Sequence, residues 1–315
     1  MSPRAAVVCS LLPISALALA GCSADAADDE AGEAAAVTVA AENGEVEVPQ
    51  DPADVVVFDN AQLDILDALE VDVAGIPSAD AVPTFFSAYA EDETVADVGS
   101  LFEPDFEEVA AIDPDLIISG GRSADATEEL AEIAPTLDMS LETGNTLASL
   151  SDRAQTYGEI FDRTEQADLL ATELEERTNE VGEQVAEAGD GLVLITSSGE
   201  ISAYGPGSRY GFFYDDLGME PAVEISSSEA SHGEVLSFEA LAEADPDWLY
   251  VIDRDTAIGE EGASPAEQVL DNDLVADTTA AEEDQILHLD SEEVYLVGGI
   301  QAHLNVLDDI DSALS

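Results

Sequence analysis

The chain has 315 residues, of which 72 are Asp or Glu, against seven Arg and no Lys, for a formal net charge of −65. An acid excess of this size repels nucleic acid and anionic lipid head groups, which excludes both as partners. Apolar residues stay at 46% and the acids are spread rather than blocked, so the chain reads as a globular protein adapted to high salt, where a Debye length of about 3 Å in roughly molar salt screens the self-repulsion.

The N-terminus reads as an export signal over residues 1–21. Arg4 supplies the positive end, and the apolar run that follows to Ala20, interrupted by Ser and Pro13, is too short for a membrane span. It ends Leu19-Ala20-Gly21-Cys22, which resembles a bacterial lipobox; there Cys22 would carry lipid and become the first mature residue. Ordinary signal cleavage near the small residues is the alternative. With Cys9 in the signal and Cys22 lipidated, no thiol remains for a disulfide, a nucleophile or a zinc site. Residues 22–36, rich in Ala, Asp, Glu and Gly, read as an acidic flexible tether.

An N-terminal α/β lobe is expected over residues 37–146. Val37 to Val48 alternates around Glu42-Asn43-Gly44, a hairpin signal. Strands are expected at Val55–Phe58, Val71–Ile76, Leu116–Ser119 and near Thr136. Between them lie helices starting at Asn60 (read as a cap), over Phe106–Ala111 and over Ala124–Ile133. This alternation predicts a parallel sheet. Residues 147–188 turn wholly helical, with a break near Asp162–Thr164 and an interlobe helix over about 164–188. Glu159/Arg163 and Glu173/Arg177 are i,i+4 pairs in the favourable order, whereas Arg153 has no such partner. A helix of about 25 residues spans about 40 Å, enough to join two lobes rigidly. The C-terminal α/β lobe, 189–315, has expected strands at Leu192–Thr196, Trp248–Ile252 and Ile286–Leu289. Its helices are a helix-like Phe212–Leu217, one capped by Ser237, one at Ala266–Leu270 and one from about Gly299 to Leu314. The fold class is therefore α/β: two Rossmann-like lobes joined by a long rigid helix, with the ligand cleft between them.

An internal match links the lobes. Phe106 to Arg122 reads FEEVAAIDPDLIISGGR, and Phe238 to Arg254 reads FEALAEADPDWLYVIDR. The shared unit is a helix, a stop forced by Pro, and a buried strand whose C-terminal end delivers an arginine. Ligands of open α/β sheets bind outside the carboxyl ends of the strands, so Arg122 and Arg254 should face one cleft. A coincidental match at a common Asp-Pro-Asp turn is the alternative. Arg209, in the loop Gly205-Pro206-Gly207-Ser208-Arg209-Tyr210-Gly211, is open between reaching a ligand and decorating the surface. His288 and His303 read as structural. His232, in Ser231-His232-Gly233, is open between surface and ligand roles, and Tyr295 precedes a Leu-Val-Gly-Gly break where a side chain could meet the cleft. There is no nucleophile elbow, P-loop, dinucleotide glycine pattern or zinc His pair, and no acid/base pair stands out among so many carboxylates.

From Val37 onward the chain resembles the class III solute-binding lipoproteins of ABC importers that bind ferric catecholate siderophores. The resemblance is carried by GPGSRYGFFYDDLGMEP (205–221), SHGEVLSFEAL (231–241), DPDWLYVIDR (245–254), LDNDLV (270–275) and the run from His288 through LVGG (296–299). It implies a monomer that is no enzyme and holds no intrinsic cofactor. The protein would be lipid-anchored on the extracytoplasmic face of the cell membrane, with a ferric siderophore as transported ligand and an ABC permease with its ATPase as partner. The family's ligand arginines fall on Arg122, Arg209 and Arg254, and its iron-contacting pair on His232 and Tyr295. Large hinge closure is not expected. Another iron chelate, haem or cobalamin remains the alternative cargo, and a secreted hydrolase the distant one.

Overall fold

In a computed structural model, residues 35–78, 82–225, 233–260 and 262–315 are described. The export signal, Cys22, Arg4, nearly all of the tether and His232 lie outside them. β1 (Ala36–Ala41) and β2 (Gly44–Pro49) pair antiparallel with Ala41 opposite Gly44, the hairpin the alternation predicts.

The first lobe follows as β3 (Val55–Val57), α1 (Asn60–Ala68), β4 (Gly75–Ile76), α2 (Ser87–Glu91), β5 (Ala96–Asp97), α3 (Phe106–Ile112), β6 (Leu116–Ser119), α4 (Thr127–Leu130) and β7 (Thr136–Asp138). Its five strands lie in the order β5-β4-β3-β6-β7, all parallel. β3 and β6 are buried on both faces, which is why they read as unbroken apolar runs. Three expectations shift. The cap of α1 is Asp59, whose carboxylate accepts from the amides of Ala61 (3.0 Å) and Gln62 (3.1 Å), while Asn60 sits inside the helix. β4 keeps only two residues, with Val71 and Val73 buried from the loop before it. The helix expected over Ala124–Ile133 divides into a 3-10 turn, Gly121–Ala126, and the short α4.

Two helices connect the halves. α5 (Thr146–Ile160) and α6 (Thr164–Val185) break at Asp162, whose φ of 54° is left-handed. At Gly158 a Cβ would lie 2.6 Å from that of Ala167, so glycine permits the close crossing. With 22 residues, α6 is about 33 Å long. The expected i,i+4 pairs do not form. Arg177 binds Glu180 (2.6 Å), Asp308 (2.6 Å) and Asp311 (3.3 Å), tying α6 to the C-terminal helix. Arg163 donates to the carbonyls of Phe161 and Asp162, and Arg153 finds Glu42 at 3.0 Å. Arg177 thus exchanges Glu173 for an i,i+3 neighbour and two carboxylates of the C-terminal helix, and Arg163 turns to local carbonyls; a helix-surface pair is worth only about 0.2–0.5 kcal/mol.

The second lobe comprises β8 (Asp190–Ser197), β9 (Glu200–Tyr204), α7 (Phe212–Asp215), β10 (Glu220–Pro221), β11 (Glu234–Leu236), α8 (Phe238–Ala244), β12 (Trp248–Asp253), α9 (Arg254–Ala257), α10 (Ala266–Leu270), α11 (Asp273–Ala276), α12 (Thr279–Glu282), β13 (Ile286–His288) and α13 (Ile300–Leu314). The sheet runs β11-β9-β8-β12-β13, with β10 beside the start of β8. β8, β12 and β13 are parallel, and β9 and β11 add an antiparallel edge that the expected strands do not include.

One apolar cluster runs from Val55 and Leu66 through Leu150, Tyr157 and Leu174 to Tyr250, Ile300 and Leu307. It crosses both lobes and the connecting helices, so the lobes share a core. Between α1 and α13 the join is also polar. Asp64, fully buried, accepts from the first-turn amides of Gln301 (2.9 Å) and Ala302 (3.0 Å). Burial pushes its carboxyl up to about 7 against those hydrogen bonds.

Candidate functional site

The two copies of the repeated unit use the same devices. Asp105 caps α3 by accepting from Glu107 and Glu108, and Ser237 caps α8 by accepting from Ala240. Each helix stops on a left-handed Asp, Asp113 (φ 57°) or Asp245 (φ 49°). After the proline, the second Asp fixes the start of a neighbouring strand. Asp115 accepts from the amides of Ala53 (3.0 Å) and Asp54 (3.2 Å) ahead of β3, and Asp247 accepts from Asp190 (3.1 Å) at the start of β8. β6 and β12 each occupy the fourth place in their five-strand path, so the two arginines leave equivalent strand ends. Arg122 lies in the 3-10 turn after β6, and Arg254 opens α9 after β12.

Both arginines and Arg209 converge on one residue, Tyr295. Arg122 Nη2 donates to the Tyr295 carbonyl at 2.9 Å and Arg209 Nη2 to the same oxygen at 2.6 Å. Arg254 Nε donates to the Tyr295 hydroxyl at 3.0 Å. The three guanidinium carbons lie 5.7, 5.0 and 5.9 Å from the ring centroid, within cation–π range. Arg209 also lies 5.2 Å from the Tyr210 ring. Tyr295 sits in a π-helical turn, Glu293–Val297, closed by the left-handed Gly298, whose amide donates to Glu293. Such a turn leaves carbonyls without in-helix partners, freeing that of Tyr295 for the arginines. The side chain of Asn60 holds the next carbonyl, Leu296, at 3.0 Å and so ties the turn to α1.

Charge compensation is uneven. Among the described residues, the salt bridges of the chain involve Arg153, Arg177 and Arg254, the last through Asp255 at 3.4 Å; Arg122 and Arg209 have no carboxylate at salt-bridge distance. Burial, then the field of Arg209, lowers the pKa of Arg122. The hydrogen bond from Arg254 to the Tyr295 hydroxyl raises that of Arg254. Asp59 interacts electrostatically with Arg122 and Arg209, and its own carboxyl is raised by burial while the Gln62 amide and Arg122 oppose the rise. With no carboxylate at salt-bridge distance among the described residues, Arg122 and Arg209 form a positive site suited to an oxygen-rich anion.

Two cavities flank the Arg122 and Leu296 wall. The larger, about 560 Å³, has Asp59, Ser140, Glu142, Thr143, Arg209 and His303 among its lining. The smaller, about 360 Å³, contains Arg122, Arg254 and Tyr295. His303 is buried, its Nδ1 2.7 Å from the Gly299 carbonyl and its ring 4.9 Å from Phe212. Burial lowers its pKa, holding it toward the neutral form. It therefore has both the structural place expected of it and an edge on the cleft, whereas His288 is exposed in β13. Of the expected site residues, Arg122, Arg209, Arg254 and Tyr295 lie together; His232 and Cys22 lie outside the described residues. Asp59, Asn60 and Tyr210 were not expected at the site. The only sequence signals for them were the Asp-Asn pair after a buried strand and the aromatic beside Arg209.

The family profile described as periplasmic binding protein matches residues 55–293. The petrobactin-binding protein YclQ of Bacillus subtilis is 40% identical over 255 residues, 80% of this chain and 79% of the relative. Its crystal structure superposes with a TM-score of 0.84 at 36% identity, covering 89% of this chain and 99% of that one. The ferric-anguibactin-binding protein FatB of Vibrio anguillarum is 31% identical over 314 residues, 97% of this chain and 95% of the relative. The periplasmic catecholate-siderophore binding protein VctP of Vibrio cholerae superposes with a TM-score of 0.83 at 28% identity, over 88% of this chain and 100% of that one. With two α/β lobes facing each other over a shared core, and a profile match across most of its length, the chain belongs to the periplasmic binding protein family.

Proposed function

We propose that the chain is the extracytoplasmic binding protein of an ABC importer for iron, and that it captures an anionic ferric catecholate at the three arginines. The family consists of substrate-binding proteins, and similar members are named for ferric siderophores. The observation that carries the reading is the convergence of Arg122, Arg209 and Arg254 on Tyr295, with Arg122 and Arg209 lacking carboxylates at salt-bridge distance among the described residues. Planar guanidiniums match catecholate oxygens and stay charged at any working pH. Fe³⁺ prefers six hard donors. A bis-catecholate supplies four, leaving two that the Tyr295 phenol and His232 could fill; with a tris-catecholate those side chains only line the site.

The ligand cleft lies between a lobe of residues 37–146 and a lobe of residues 189–315, joined by the helical connector 147–188. Cys22 carries the lipid that holds the protein at the outer face of the membrane, residues 22–36 give it reach, and the loaded protein hands its cargo to the permease. The acidic surface suits a high-salt medium, where it is screened.

The test is titration of the folded protein, in about 1 M NaCl, with ferric bis- and tris-catecholates, read by quenching of Trp and Tyr fluorescence. Saturable quenching is expected, and simultaneous replacement of Arg122, Arg209 and Arg254 by Ala should abolish it while the far-UV circular dichroism stays unchanged. Absence of quenching with every ferric catecholate would refute the cargo, and unchanged affinity in the triple variant would refute the site.

A further inference from the structure

Among the described lining residues, the smaller cavity has two charged side chains, Arg122 and Arg254, where the larger has Asp59, Arg122, Glu142 and Arg209. Arg122, Arg254 and Tyr295 form one wall. Pro77, Pro83, Leu101 and Phe102 come from the first lobe, and Ala257 and Ile258 from the second. Among its described lining residues the other polar side chains are Asn60, which donates one N–H to the Leu296 carbonyl, and Ser100, whose Oγ accepts from the amides of Phe102 (3.4 Å) and Glu103 (3.0 Å) and keeps its O–H as a donor. A ligand group entering here beyond the arginine wall would find few hydrogen-bond partners, and burying a polar group without one is costly. The cavity is therefore matched to hydrocarbon or an aromatic ring.

A second observation points the same way. Among the described residues the exposed large hydrophobics are Phe102 (69% exposed), Leu169, Val235 and Leu274. Phe102 is the single aromatic among them and the one that lines either cavity. A ring so exposed contributes little to the core, yet its loop is held in place. Ser100 and Glu103 close the turn through an amide-to-carbonyl bond of 3.0 Å, and a Cβ at Gly99 (φ 98°) would lie 2.7 Å from the Asp105 nitrogen.

We infer that this cavity is a subsite for the uncharged hydrocarbon or aromatic arm of the chelate whose anionic centre the arginines hold, with Phe102 and Ile258 as its specificity-determining side chains. The inference rests on the function proposed above. Because Arg122, Arg254 and Tyr295 belong to both, a ligand seated on the arginines has this cavity beside it. The subsite discriminates among chelates of equal charge, which the arginines alone cannot do.

The test uses two synthetic tetradentate bis-catecholamides with the same iron-binding groups and the same charge, one joined by an alkyl linker and one by an ether linker of equal length. Dissociation constants of both ferric complexes are measured for the wild type and for Phe102→Ala, Phe102→Leu and Ile258→Ser. The wild type should prefer the alkyl-linked complex by roughly 15-fold, the scale of burying about two methylenes. Phe102→Ala and Ile258→Ser should erase that preference with the ether-linked affinity held within about twofold, and Phe102→Leu should keep most of it. Binding of both complexes without preference, or equal weakening of both by the variants, overturns the subsite and leaves the arginine site standing. Failure of the wild type to bind either complex overturns both.

Discussion

The two copies of the helix–strand–arginine unit share their helix stop and their place in the sheet and differ in the setting of the arginine each delivers. Both stop a capped helix on a left-handed Asp, brace a neighbouring strand with the next Asp, and end at equivalent positions of a five-strand path. Arg254 then meets Asp255 at 3.4 Å and the Tyr295 hydroxyl at 3.0 Å, and its pKa is raised. Arg122 meets a backbone carbonyl, the like charge of Arg209 and burial, and its pKa is lowered. Among the described residues, one scaffold thus presents a cation with a carboxylate at salt-bridge distance from one side and a cation without one from the other. An arriving anion gains more from the second, whose described surroundings hold no carboxylate that close.

That difference sets the largest expected effect. Arg122→Ala should weaken ferric catecholate binding by about 100-fold and Arg254→Ala by about tenfold, since a desolvated charge contact is worth more than a partly exposed, already paired one. Fluorescence titration of both variants at one salt concentration measures this. Equal losses would mean that local compensation does not govern the site.

A smaller effect should separate the two sides by sign. Asp59 acts on Arg122 and Arg209, whereas the causes acting on Arg254 come from Tyr295 and Asp255. Asp59→Asn keeps an oxygen for the Ala61 and Gln62 amides and removes the negative charge. Affinity for an anionic chelate should rise about threefold in dilute buffer, and less in molar salt, where the Debye length is about 3 Å. A tighter complex in Asp59→Asn that also carries Arg254→Ala, but not in one carrying Arg122→Ala, would place the effect on the Arg122 side.

Much of this arrangement was legible in the chain. β6 and α10 have the bounds that their apolar runs predict, the break between α5 and α6 falls where expected, and the repeated Asp-Pro-Asp and terminal Arg align as the match implied. What was not legible depends on distant parts of the chain. The partners of Arg177 are Asp308 and Asp311 on α13, which local spacing cannot reveal. The focus of the site is a backbone carbonyl, and a carbonyl has no signature in sequence. Nor does Glu-Val-Tyr-Leu-Val announce a π-helical turn; the Gly-Gly that follows marked only a break. Asp59 and Asn60 are both good caps, and tertiary structure decided between them by giving Asn60 the Leu296 carbonyl.

The shared scaffold can be probed away from the ligand. Asp115→Ala removes an acceptor of two amides, and Asp247→Ala removes one side of a reciprocal pair in which Asp190 also accepts from the Asp247 amide at 3.1 Å. Each should cost about 1–2 kcal/mol of stability, the range for hydrogen bonds to a charged group tempered by exposure. The midpoint of urea unfolding at constant m-value reports it. A loss in only one variant would show that the second Asp serves different ends in the two lobes.

The smallest effect, that of Asp113→Gly, concerns the left-handed stops themselves. Asp113 and Asp245 adopt φ of 57° and 49° at the ends of α3 and α8, with amides bonded back to Ala110 and Leu241. Asp tolerates this conformation better than most residues, and glycine adopts it without penalty from a Cβ. Asp113→Gly trades that relief against the greater entropy of an unfolded glycine, so the net change should stay within about 0.5 kcal/mol, whereas Asp245→Gly also removes the acceptor of the Thr279 amide (2.7 Å) and should cost about 1 kcal/mol more. Asp113→Ala should destabilise by about 1 kcal/mol, because alanine keeps the Cβ and loses the polar side chain that eases the left-handed state, and Asp245→Ala by about 2 kcal/mol, because the Thr279 amide loses its acceptor as well. Matching Ala-minus-Gly differences in the two lobes would mean that the stops are one device used twice, set by the backbone turn alone. Unequal differences would mean that the surroundings of each lobe have reshaped even this part of the unit, as they have the arginine at its other end.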